Sequence, residues 1–170
     1  MKSLIFAAAL SGLTFAAYAQ PLPPLRPPAV PLVAHDPYFS IWSAADRLTD
    51  AATTHWTGKP NSLSLTVRID DKVYNLTGGG GRGGRGAPAA NTLTQTSVQV
   101  LPTRTIYEFQ GAGVNLSLTF LAPALPDDLE ALSRPLTYVT WRIASSDGKE
   151  HKASVSFEAA KPSLAPRNDP

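Results

Sequence analysis

Two of the three histidines and two of the three tryptophans fall between His35 and Trp56. His35 and Asp36 set an imidazole beside a carboxylate, with Tyr38, Phe39, Trp42 and Trp56 close in sequence. A histidine next to an aspartate can act as a general base, or the two can contact one ligand. The structural alternative is that Asp36, placed before Pro37, caps backbone amides in a turn. The four aromatic side chains can line a binding surface by stacking on flat or apolar groups, or they can plug one end of a core. Asp46, Asp50 and His55 offer two carboxylates and an imidazole, but their spacing is not diagnostic of a metal, and a solvated, salt-bridged loop with Arg47 is the plainer reading. No metal site and no cofactor are expected. The candidate ligand- or interface-contacting residues are therefore His35, Asp36, Tyr38, Trp42, Asp46, His55 and Trp56, and no catalytic residue can be assigned among them.

Other motifs carry less. Gly81-Arg-Gly-Gly-Arg-Gly86 formally matches the dinucleotide fingerprint, which requires a helix N-terminus after the loop to hold the pyrophosphate. Here Ala87-Pro-Ala-Ala-Asn91 follows, without a helical pattern. The run Gly78 to Gly86 reads instead as a flexible loop insertion. Asp127, Asp128 and Glu130 follow Pro126 and suit a helix start, where acidic groups are favoured. There is no Gly-x-Ser-x-Gly nucleophile elbow.

The elements that must position these residues are strands. Leu63, Leu65, Val67 and Ile69 alternate with Ser62, Ser64, Thr66 and Arg68, the period of a half-buried strand. Asp70-Asp-Lys72 is a turn and Val73 to Leu76 a hairpin partner. Further strands are predicted over Thr96 to Leu101, Thr105 to Phe109, Val114 to Phe120, Thr137 to Ile143 and Lys152 to Glu158, with one helical turn between Asp127 and Leu132. Short strands separated by turn residues predict an all-β fold, a β-sandwich, preceded by a Pro-rich N-terminal segment and a long aromatic loop. Gln20 to Pro31 holds six prolines and reads as a tether or an edge segment. The organisation expected is a leader over 1–19, a Pro-rich and aromatic segment over 20–61, a sandwich over 62–160, which the chain need not complete, and an irregular tail over 161–170.

The leader has the form of a secretory signal. Lys2 gives the positive start, Leu4 to Leu10 and Leu13 to Ala17 the apolar stretch, and Ala17-Tyr-Ala19 the small-x-small cleavage pattern. The apolar part is too short for a membrane span, so no membrane partner is expected after cleavage. The protein is expected to be secreted or periplasmic. The chain contains no cysteine, which removes disulfides, zinc-thiolate sites and cysteine nucleophiles together. Its formal net charge is +2, and loss of Lys2 with the leader brings it nearer neutrality. That balance gives no reason to expect a nucleic-acid partner.

Three ordered segments resemble the N-terminal region of secreted, glutaminase A-type proteins. They are Arg26-Pro-Pro-Ala-Val-Pro-Leu-Val33 with His35-Asp-Pro-Tyr-Phe-Ser-Ile-Trp42; His55-Trp-Thr-Gly-Lys-Pro-Asn-Ser62; and Gln95 to Tyr107 with Pro123 to Leu129 and Leu132 to Tyr138. The likeness runs from about Arg26 to about Ala159, with Gly78 to Gly86 as an insertion. The resemblance implies a β-rich accessory region ahead of an all-helical catalytic domain, which has no counterpart in this sequence. It implies hydrolysis of the L-glutamine side-chain amide in the complete family members and an inactive chain here. The implied partner is that helical domain, with the His35 to Trp56 segment near the rim of its pocket. The alternative is a free-standing module that binds carbohydrate or an envelope surface, using tryptophan and tyrosine to stack on a glycan or other small ligand.

Overall fold

The structure, a computed structural model, describes residues 27–79 and 91–159. The leader, most of the Gly-rich run and the tail lie outside the described residues. Nine strands and one short helix are present among those described. They are β1 (Val30–Ala34), β2 (Ser40–Ser43), β3 (Leu63–Ile69), β4 (Lys72–Asn75), β5 (Thr94–Leu101), β6 (Arg104–Gly111), β7 (Val114–Leu121), α1 (Leu129–Ser133), β8 (Tyr138–Ser145) and β9 (Ala153–Ala159). They form three antiparallel sheets, ordered β1-β2, β4-β3-β9 and β5-β6-β7-β8. The fold is all-β and sandwich-like.

Alternation decides which face is inside. Leu63, Leu65, Val67 and Ile69 of β3 are buried, as are Tyr107 and Phe109 of β6 and Val114, Leu116, Leu118 and Phe120 of β7. These side chains form one apolar cluster with Val30, Leu32 and Val33 of β1. Tyr107 stacks on Phe109 at 6.3 Å and meets Phe120 edge-on at 6.5 Å, an arrangement aromatic quadrupoles favour. Removing one such ring to alanine costs about 3–5 kcal/mol, through lost transfer energy and the cavity left behind.

The tight turns carry the twist. Asp70 and Asp71, at φ 45° and 67°, form the two-residue turn between β3 and β4, and Ala112 and Gly113, at φ 50° and 73°, form that between β6 and β7. Left-handed backbone at both central positions suits the right-handed twist of the flanking strands. Asp128 caps α1 by accepting from the Ala131 amide at 2.9 Å.

Two sequence expectations need correction. Of the two readings of the Pro-rich run, tether or edge segment, Val30 and Pro31 follow the second, and the aromatic stretch is not only a loop: β1 and β2 form a hairpin. Pro31 has no amide to donate and sits opposite Trp42 in a two-stranded sheet whose register shifts between Pro31 and Val33, the kind of edge and irregular position that tolerates proline. Its carbonyl accepts from Thr105 Oγ1 at 2.8 Å, tying β1 to β6. Gly78 and Gly79 are not part of a free loop. The Gly78 amide donates to Leu48 at 2.9 Å, and a Cβ on Gly78 would stand 2.5 Å from the Ala51 backbone. Only glycine permits that approach.

A polar clasp joins turns that are distant in sequence. His151, whose side chain is 12% exposed, places Nδ1 2.5 Å from Asp70 Oδ2 and Nε2 2.9 Å from Asp147 Oδ1. Gly113 lies directly against it, since a Cβ there would come within 2.6 Å of the imidazole. Hydrogen bonds to Asp70 and then Asp147 raise the His151 pKa. The same bonds hold Asp70 low and Asp147 at about 2. The raised histidine contributes stability that is complete below its unfolded-state value of about 6.5 and is lost as pH rises through its folded value. The lowered carboxylates contribute stability that is present above about pH 3.8 and is lost on acidification. The thermal midpoint should therefore fall as pH is raised from about 6 to about 9, and His151→Gln should flatten that fall. Identical pH profiles for the two proteins would show that the clasp contributes nothing.

Candidate functional site: an aromatic surface at the β1–β2 turn

The turn between β1 and β2 is built by Asp36. Its Oδ1 accepts from the Tyr38 amide at 2.7 Å and the Phe39 amide at 2.8 Å. Pro37 has no amide to offer, so the carboxylate reaches past it, the usual geometry of an aspartate-initiated turn. The His35 amide closes the turn on the Phe39 carbonyl at 3.3 Å. The turn leaves the Pro37 carbonyl facing outward, and two side chains converge on it. His55 Nε2 lies 2.8 Å away and Trp56 Nε1 donates at 2.6 Å. A carbonyl only accepts, so the proton of His55 is assigned to Nε2. Nδ1 is then the acceptor for Thr57 Oγ1 at 2.8 Å and the Thr57 amide at 3.3 Å.

The segment bearing His55 and Trp56 is held by buried polar residues. Thr53 Oγ1 donates to the Asn61 carbonyl at 2.9 Å and accepts from the Leu63 amide at 2.8 Å. Asn61 Nδ2 donates to the Ser40 carbonyl at 3.1 Å, and Trp42 exchanges backbone bonds with Thr54 at 2.7 and 2.9 Å. The hairpin β1–β2 and the start of β3 thus fix the two ends of the loop. Gly58, at φ 81°, turns the chain between them.

The result is an open depression of about 270 Å3, lined by Ala34, His35, Asp36, Pro37, Ser40, Trp42 and Trp56. Four of the seven candidate residues, His35, Asp36, Trp42 and Trp56, meet there. His55 supports it from behind through Pro37 and Thr57. Tyr38 is 71% exposed beside it and Trp56 is 60% exposed over it. Asp46 is elsewhere, on the loop whose backbone is tied to β5 through Gln95. Among the described residues, no three histidine, cysteine, aspartate or glutamate side chains group to hold a metal. His35 Nε2 is engaged with Thr137 Oγ1 at 3.0 Å, and its ring tilts against Phe39 at 5.4 Å. Asp36 is occupied with two amides and His55 with three partners. These groups hold shape, and the surface they create offers indole faces for stacking and packing.

Sequence reasoning missed Thr137 and Thr53. Thr137 is 102 positions from His35, and nothing local signals that pairing. Thr53 is one of several small hydroxyl residues in its stretch, and only its burial distinguishes it.

Comparisons with known proteins place this geometry in context. Residues 13–80 match the family described as Domain of unknown function (DUF4964), and residues 103–165 match Domain of unknown function (DUF5127). The chain is 30% identical over 164 residues to Glutaminase A of Aspergillus oryzae (strain ATCC 42149 / RIB 40), an alignment covering 91% of this chain. It spans 23% of the length of that relative. No solved structure matches the chain. Most of the chain is therefore a glutaminase-related region.

Replacing Thr53 by valine leaves the Leu63 amide and the Asn61 carbonyl buried without their partner, so it should destabilise the fold by about 1–3 kcal/mol. Trp56→Ala, at an exposed ring, should cost less than about 1 kcal/mol. Urea denaturation of both variants checks the order, and a larger loss for Trp56→Ala would contradict the assignment of Thr53 as the anchor.

Proposed function

We propose that this chain is the N-terminal accessory region of a glutaminase A-like amidohydrolase, exported to the periplasm or the medium after cleavage following Ala19. The reaction of the complete protein is hydrolysis of the L-glutamine side-chain amide to glutamate and ammonia. The chain does not carry out that reaction alone. Its partner is a helical catalytic domain, and the aromatic surface around Trp56 contributes to the rim of the pocket that domain forms. The observation that carries the reading is the alignment with Glutaminase A over 91% of this chain. The site geometry supports it in one respect: Asp36 Oδ1, His35 Nε2 and both ring nitrogens of His55 are engaged in holding loops in place.

A second reading has one observation in its favour. Trp56 and Tyr38 are both largely exposed beside a depression, which suits stacking on a sugar ring. On that reading the chain is a free-standing carbohydrate- or surface-binding module.

The test is ammonia release from L-glutamine by purified Gln20–Pro170, alone and mixed with the part of the Aspergillus oryzae Glutaminase A that the alignment leaves uncovered. The expected result is no release by this chain alone and a rate on mixing at least tenfold above that of the relative's fragment alone. Release by this chain alone overturns the proposal and turns attention to His35, Asp36 and His55. Inactive mixtures, together with glycan binding that is lost in Trp56→Ala, favour the second reading.

A further inference from the structure

Among the described residues, the sandwich is bridged along one side and open along the other. On the bridged side, Asn75 of β4 bridges to Thr92, just before β5, with its amide donating to the Asn91 carbonyl at 2.8 Å. The edges there are also blunted: β4 has four residues, and β5 carries a register shift between Gln95 and Ser97. Short edges and bulges are the devices that stop further strands from adding.

On the opposite side, β8 and β9 are the last strands of their sheets. They run for eight and seven residues, and both pair with their inner neighbours without a register shift. Neither contains proline, and Glu158 and Arg142 are their only charges. Among the described residues, no strand pairs with the outer edge of either.

The core-facing side chains on these strands are incompletely covered. Phe157 pairs in register with Leu65, and Val155 with Val67, so they project onto the buried side of their sheet. Their partners are fully buried, yet Val155 is 43% and Phe157 44% exposed. Trp141, in register with Leu118, meets Phe157 edge-on at 6.3 Å across the two sheets. Its indole nitrogen is buried without a hydrogen-bond partner. The outward residues of β9, Ser154, Ser156 and Glu158, are polar, as a solvated face should be. An apolar inner face and two bulge-free edges, unpaired among the described residues, thus coincide in one gap.

We propose that this gap is a strand-addition site, and that its occupant is the remainder of the β-rich region of a glutaminase A-like polypeptide, the part that lies ahead of its helical domain. Added strands would take the free amides and carbonyls of β8 and β9 and cover Phe157, Val155 and Trp141, the recognition mode of an extended segment on a sheet edge. Length favours this occupant: the alignment takes in 91% of this chain but 23% of the relative, which therefore has much more polypeptide to supply. The inference rests on the reading of this chain as part of such a polypeptide, but it concerns a surface separate from the Trp56 depression.

The probe is the segment of the Aspergillus oryzae Glutaminase A that directly follows its aligned region, fused after Pro170. The readout is amide hydrogen exchange, independent of any enzymatic activity. In a fusion that unfolds cooperatively, the outward amides of β8 and β9 should exchange at least tenfold more slowly than in the unextended chain, and Phe157→Glu in the same fusion should abolish the slowing while leaving β3, β6 and β7 protected. Unchanged exchange in a folded fusion overturns the proposal. So does slow exchange in the unextended chain, either at all concentrations, where the chain's own tail covers the gap, or rising with concentration, where a second copy does. Slowed exchange without glutaminase activity would leave this inference standing while the proposed function falls.

Discussion

Leu63, Leu65, Val67 and Ile69 on one sheet meet Tyr107, Phe109, Leu116, Leu118 and Phe120 on the other, and the remaining elements hang from that apolar interface. The three strands concerned are central in their sheets, so their backbone groups are satisfied on both sides while their inner side chains are dry. β1 adds Val30, Leu32 and Val33 to the same cluster, which fixes the hairpin whose turn shapes the aromatic surface. The fold and the site are thus one construction. Displacing β1 would move His35, Asp36 and Pro37 together.

The aromatic surface depends in turn on one carbonyl. Pro37 cannot donate, its neighbours' amides are taken by Asp36, and its oxygen receives both an imidazole and an indole. That convergence orients Trp56 over the depression without burying it. Asp36 and His55 have the residue types of an acid–base pair; here Asp36 Oδ1 accepts from two backbone amides and the His55 ring nitrogens bond the Pro37 carbonyl and Thr57. The surface that results presents the Trp56 ring and the neighbouring Tyr38 to solvent.

Much of the fold was legible in the sequence, because period-two alternation records burial directly. The strands from Leu63 to Ala159 fall within two or three residues of where the pattern places them, and the helical turn begins at Leu129, capped by Asp128, as the acidic residues suggest. The hairpin β1–β2 was not legible, since proline in β1 and the aromatics after it mask alternation over strands of five and four residues. The clasp of Asp70, Asp147 and His151 was invisible for another reason: it depends on the β3–β9 pairing, which joins residues more than eighty positions apart. Of the candidate site, the clustering of His35, Asp36, Trp42 and Trp56 followed from sequence proximity. The placement of Asp46 away from them, against β5, is a tertiary fact that proximity misjudged.

The proposed function requires that this chain be equivalent to one part of a glutaminase. The most direct measurement is glutamine hydrolysis by a chimera in which this chain, from Gln20, replaces the aligned region of the Aspergillus oryzae Glutaminase A. Equivalence predicts a chimera that unfolds cooperatively and releases ammonia from L-glutamine at a rate within about a hundredfold of the parent, a difference of about 2.7 kcal/mol in barrier. A cooperatively folded chimera with no glutaminase activity would contradict it.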